Sequence, residues 1–137
     1  MRDLRLYVNV PRIPPFLEVA AEALSALNCQ LMRAAQAYGR EFPPLYSAGV
    51  VYRREPPGRE WWQTALDVLR EGSGDCEDLA AYRAAELRYR DAEPARVRIY
   101  RTKRGTYHAI VQRADGRLED PSRVLVELEH AGEISSR

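Results

Sequence analysis

The sequence predicts an α+β fold, with helices first and an antiparallel sheet after them. Three observations carry this. The first third has helical apolar spacing, with Leu17, Ala20, Ala21, Leu24, Leu27, Leu31, Ala35 and Tyr38 on one face. The last third holds short apolar strands separated by Lys103-Arg104-Gly105 and Ala114-Asp115-Gly116. Between them, Glu71-Gly72-Ser73-Gly74-Asp75-Cys76 runs into a segment rich in Ala, Leu, Glu and Arg, all good helix formers. Helices followed by strands, rather than alternating with them, give the α+β class. The 137 residues are read as one domain spanning 1–137.

Element by element, Leu4, Leu6, Val8 and Val10 alternate with polar or aromatic neighbours, as in a half-buried strand or extended arm. Pro14-Pro15 suits a helix start, and the periodicity predicts a helix over Phe16 to Tyr38 with Gly39 as its stop. Phe42 to Gly58 is punctuated by Pro43-Pro44 and Pro56-Pro57 and reads as a long ordered loop, with a short strand at Val50–Tyr52. Glu60 to Arg70 reads as a second helix carrying Trp61, Trp62, Leu66 and Leu69, capped by Gly72. A third helix starts at Cys76 with Asp75 as N-cap, and Leu79, Ala80, Ala84 and Leu87 form its apolar face. Strands are expected at Ala95–Thr102, Thr106–Arg113 and Arg117–Asp120. Pro121 breaks the last of these, and Val124–Leu128 is read as a final strand before a frayed tail.

Composition narrows the function. Charged residues make up 30% of the chain, yet the net charge is +1, so no basic excess marks a nucleic-acid partner. No apolar run reaches the length of a membrane span. Met1-Arg2-Asp3 leads into no signal-peptide core, and the expected location is cytoplasmic. The two cysteines form no disulfide framework. Cys29, within a helix and far from any histidine in sequence, is read as structural.

Cys76 carries the chemistry. A first-turn position places its sulfur near unpaired amides and the positive end of the helix dipole, which favours a thiolate. Asp75 and Glu77 oppose that charge, and most free cysteines are small buried hydrophobes. A base must therefore come from elsewhere. Of the two histidines, His130 lies in the polar tail and His108 in an apolar strand. A three-residue hairpin loop with Gly116 in the left-handed conformation pairs Val111 with Glu119 and Ile110 with Asp120. Asp120 then becomes the diagonal neighbour of His108 on one face of the sheet. A carboxylate on one imidazole nitrogen frees the other to take the Cys76 proton. Cys76 is expected at a cleft edge, its amide serving as one oxyanion donor and Trp62 or Gln63 as the second. Zinc held by Cys76, His108 and Asp120 is the competing reading, though no paired ligand motif supports it. Asp75, Glu77 and Asp78 crowd one helix start, where they either cap the helix or attract a calcium ion.

These residues resemble the transglutaminase-like branch of the papain-type cysteine fold. The likeness rests on Gly74-Asp75-Cys76-Glu77-Asp78-Leu79-Ala80, Tyr107-His108-Ala109 and Asp120-Pro121-Ser122, with Trp62 upstream. It covers roughly residues 60–125 and is nearest to bacterial transglutaminase-like cysteine proteases with a Gly-Asp-Cys-Glu-Asp motif. The resemblance implies a papain-like core, Cys76 as nucleophile, His108 as base and Asp120 as its orienting partner. Asp75 and Glu77 become implied calcium ligands, with no cofactor otherwise required. The implied substrate is a protein or peptide. Compact members without a leader imply a phage or prophage setting. The implied activity is amide hydrolysis through a thioester. The alternatives are transglutaminase-type acyl transfer and a non-catalytic accessory or structural binding domain of the same fold.

Overall fold

Pro14 and Pro15 fill the first positions of α1 (Pro14–Ala37), where a missing N–H costs nothing and the fixed φ favours the helix. The computed structural model describes residues 3–55 and 61–134. The buried stripe of α1 is Leu17, Ala21, Ser25, Asn28, Cys29 and Met32. This differs from the apolar stripe read in the sequence, for Leu27 and Tyr38 are exposed. Two polar residues bury instead because each has a backbone partner: Ser25 donates to the Ala21 carbonyl, and Asn28 Oδ1 accepts from the Ala65 amide at 2.8 Å.

Residues 3–11 form no strand. They run as an extended arm, one of the two forms that their alternation allowed. After a short 3-10 turn at Leu45–Ser47 comes β1 (Val51–Tyr52), as expected. It pairs in parallel with β2 (Ser73–Gly74), a strand the sequence did not announce. The second helix, α2 (Ala65–Glu71), starts later than its apolar pattern suggests. Thr64 caps it by accepting from the Asp67 amide at 3.2 Å, and the Gln63 amide is drawn away to Asp78, so Trp61–Gln63 stay out of the helix. Glu60 and the Pro56–Gly58 end of the loop lie outside the described residues.

The central element is α3 (Cys76–Asp91). It is buried nearly all round, as a helix with neighbours on every side must be. One side packs with α1 on the sheet, through Ala80, Ala84, Val97, Ile99, Ala109 and Val111. The other packs Leu79, Tyr82 and Ala85 against Met32, Leu45, Val68 and Leu125. The sheet is antiparallel in the order β3 (Arg96–Arg101), β4 (Tyr107–Gln112), β5 (Leu118–Glu119). Val111 faces Glu119 and Gln112 faces Leu118, the expected register. Gly116 has φ of 89°, and the Arg113 amide bonds the Arg117 carbonyl at 2.8 Å across the three-residue loop.

The last segment corrects the sequence reading. Val124–Leu128 is no strand but part of α4 (Pro121–His130). Asp120 is its N-cap and Pro121 its first residue, so the proline that ends the sheet begins a helix. The fold is α+β, and no described helix is long and apolar enough to cross a membrane.

Candidate active site

Four elements meet at the start of α3. The parallel pair of β1 and β2 fixes the approach: the Val51 amide bonds the Gly72 carbonyl at 3.1 Å, and the Arg53 amide bonds the Gly74 carbonyl at 2.9 Å. Gly72, with φ of 75°, ends α2 and turns the chain into β2. A side chain on Gly74 would meet Asp78, Leu79 and Val68 at 3.2–3.3 Å, so only glycine packs there without displacement. Asp75 and Asp78 then form a reciprocal capping box. Asp78 is fully buried, accepting from the Asp75 amide at 3.0 Å and the Gln63 amide at 2.7 Å. Burial pushes its carboxyl up to about 8, although both amides pull the other way. The same residue thus shapes the helix start and holds the Trp62–Gln63 segment against it.

His108 and Asp120 meet as the hairpin register requires. Nε2 of His108 lies 2.7 Å from Oδ2 of Asp120. Asp120 Oδ1 accepts from the Ser122 hydroxyl at 2.8 Å and the Arg123 amide at 3.3 Å, so capping α4 also orients the carboxylate. The Asp120 bond lifts His108 above its ordinary range, against burial, and the nearby Asp75 and Glu77 charges add to the lift. Burial pushes Asp120 up, but the bonds from His108 and Ser122 outweigh it and hold the carboxyl low.

Cys76 departs from expectation in three ways. Its side chain is 6% exposed and belongs to the core cluster with Ala80 and Ala109, not to an open cleft edge. Tyr52, Trp62 and Tyr107 pack against the same cluster. Its thiol donates to Glu77 Oε2 at 3.1 Å rather than to His108. Burial, followed by the Glu77 charge and hydrogen bond, pushes the thiol well above its usual range; an Ala109 amide bond to the sulfur pulls weakly the other way. The resting group is therefore a neutral thiol, because desolvation and two adjacent carboxylates outweigh the helix start. Finally, the Cys76 amide is not a free oxyanion donor, since Asp75 Oδ1 accepts from it at 2.7 Å. Of the other two oxyanion residues, Trp62 packs on the Cys76 cluster, and Gln63 carries a buried side-chain oxygen without a partner among the described residues. Exchanging the two ends of that amide would aim an N–H donor along the same vector.

The sequence did not flag Tyr52, Glu77 as the thiol's acceptor, or Glu119. Tyr52 packs against the cluster that contains Cys76, and burial with the charges of Asp75, Cys76 and Glu77 pushes its hydroxyl up to about 12. Glu119 precedes Asp120 and is gripped by Arg83 at 2.6 Å, Arg113 at 2.9 Å and the Tyr46 hydroxyl. These bonds anchor the strand end from which Asp120 projects.

Among the described residues, the one cluster of metal-binding side chains is Asp75, Cys76 and Glu77, with ligand atoms within 4.8 Å of one another. His108 and Asp120 are not part of it, which removes the zinc set of Cys76, His108 and Asp120. Calcium takes 6–8 oxygens. The implied calcium ligands Asp75 and Glu77 lie in this cluster, and Asp75 also accepts from the Cys76 and Glu55 amides. Asp75 and Glu77 supply two carboxylates toward that number, and Asp78 is turned to the Asp75 and Gln63 amides.

Comparison with family models, with curated proteins and with solved structures finds no match.

Proposed function

We propose that the chain is a cysteine-dependent amide hydrolase of papain-like, transglutaminase-type architecture, acting on a protein or peptide. The observation that carries this reading is the 2.7 Å contact between His108 Nε2 and Asp120. It commits one ring nitrogen to a carboxylate and leaves Nδ1 for a proton from the thiol, which shares a core cluster with the next residue, Ala109. In the reaction, Nδ1 takes the Cys76 proton as the sulfur attacks the amide carbon. The oxyanion is met by donors from the Trp62–Gln63 segment. The imidazolium then protonates the departing amine and a thioester remains. Water, deprotonated by His108, attacks the thioester and returns the acid and the thiol.

The neutral thiol means that His108 works as a general base rather than as half of a standing ion pair. The test is hydrolysis of a peptide library by the full chain, with Cys76→Ala and His108→Ala alongside. Loss of all cleavage in both variants supports the reading; equal cleavage in wild type and Cys76→Ala ends it. Release of ammonia with incorporation of an added amine would reassign the reaction to acyl transfer. One observation favours a second reading, a binding domain without catalysis: the thiol is nearly inaccessible and donates to Glu77.

A further inference from the structure

Residues 3–10 donate no backbone hydrogen bond to a carbonyl among the described residues, yet they are not loose. The arm is held along a line. Asp3 pairs with Arg70 at 3.1 Å. The Tyr7 ring meets Trp61 edge-on, with centroids 5.7 Å apart. Val10 packs on the core cluster that contains Cys76, and the Arg12 carbonyl accepts from the Tyr107 hydroxyl at 2.7 Å. Trp61 precedes Trp62 and Gln63, and Tyr107 precedes His108. From Tyr7 to Arg12 an extended chain reaches at most about 18 Å. The arm therefore runs from the wall of the oxyanion segment to the strand of the base. Leu4, Leu6, Tyr7 and Val8 are all exposed, and Val10 is the residue of the arm that packs on the core. The holding contacts are few and mostly at the surface, so the arm can leave without disturbing the core.

We infer that the arm occupies the substrate groove of the thiol site as an intramolecular stand-in. This rests on the reading of Cys76 as the site's centre. The occupant that replaces the arm is an extended apolar peptide. It presents an aromatic side chain to Trp61, an aliphatic one three residues later to the cluster around Cys76, and a carbonyl to Tyr107. While seated, the arm sets Val10 against the cluster that contains Cys76. Its tether to α1 gives it an effective concentration that a free peptide must exceed.

The test uses the full chain and a fluorescein-labelled peptide with the sequence of residues 3–12. Tyr7→Ala and Val10→Ser each weaken the seated arm and leave the groove intact. Both should bind the peptide at least tenfold more tightly than wild type, and a scrambled peptide should not gain. Adding Trp61→Ala to Tyr7→Ala should abolish the gain. Cys76→Ala in the Tyr7→Ala background should bind as tightly, which separates groove occupancy from the reaction. Each arm variant should also speed alkylation of Cys76 several-fold and leave Cys29 unchanged. Equal peptide affinity in wild type and both arm variants, or unaltered Cys76 labelling, overturns the inference. Tight binding with faster labelling but no amide cleavage overturns only the hydrolase reading.

Discussion

At the scale of single residues, Glu77 and Asp120 each hold a proton on a reactive group, with opposite consequences for that group's charge. Glu77 accepts the Cys76 proton and adds a negative charge beside the sulfur, and both effects favour the thiol. Iodoacetamide labelling of Cys76 should therefore be slow at neutral pH and accelerate as pH rises. Glu77→Gln should speed it several-fold near neutrality by removing the charge. A slower Glu77→Gln reaction would mean that Glu77 draws the proton away productively. Asp120 likewise holds the proton on His108, where it favours the charged form rather than the neutral one. A histidine raised by folding contributes stability that is complete below about pH 6.5 and fades as pH climbs through its folded value. An aspartate lowered by folding contributes stability present above about pH 3.9 and lost as pH falls through its depressed value. The pair thus stabilises most between those limits. Asparagine also caps helices well, so Asp120→Asn isolates the histidine bond from the capping role. Its melting-temperature deficit against wild type should peak near pH 4–6.5 and shrink at pH 9. A deficit independent of pH would assign Asp120 to capping alone.

At the scale of elements, the start of α3 depends on a carboxylate that faces no solvent. Both oxygens of Asp78 accept backbone amides, from Gln63 and Asp75. Asparagine in its place must turn an N–H toward one of them. Asp78→Asn should cost about 1–3 kcal/mol in denaturant unfolding and release the Trp62–Gln63 segment, read as a shifted tryptophan emission. An unchanged midpoint would show that the segment holds its place without Asp78. The hairpin of β4 and β5 was legible from Ala114-Asp115-Gly116, because a three-residue loop leaves one register open and Gly116 supplies the positive φ. The helix after it was not read, although Asp120-Pro121 is a cap followed by a first-position proline. The same dipeptide both stops a strand and starts a helix, and the apolar spacing of Val124–Leu128 suits either.

For the whole molecule, α3 is the shared wall of both apolar clusters. Leu79 is fully buried within it, beside Gly74. Leu79→Ala should cost about 2–5 kcal/mol. Because α3 belongs to both sides, far-ultraviolet circular dichroism and tryptophan fluorescence should shift together. Separate transitions would show that the two clusters unfold independently.

The amino-acid sequence by itself determined α1, α3, the hairpin and the meeting of His108 with Asp120. Those follow from periodicity, glycine conformation and register, all of which act over a few residues or across one turn. Tertiary structure alone decided the state of Cys76. Its position at a helix start is local, but its burial in the cluster with Ala80 and Ala109 and the hydrogen bond to Glu77 come from packing and rotamer. The parallel pairing of β1 with β2 and the course of the arm are likewise tertiary. Two-residue strands carry no pattern of their own, and an extended arm takes its path from the surface that receives it. Desolvation belongs to the assembled core, and here it outweighs the local field that the sequence displays.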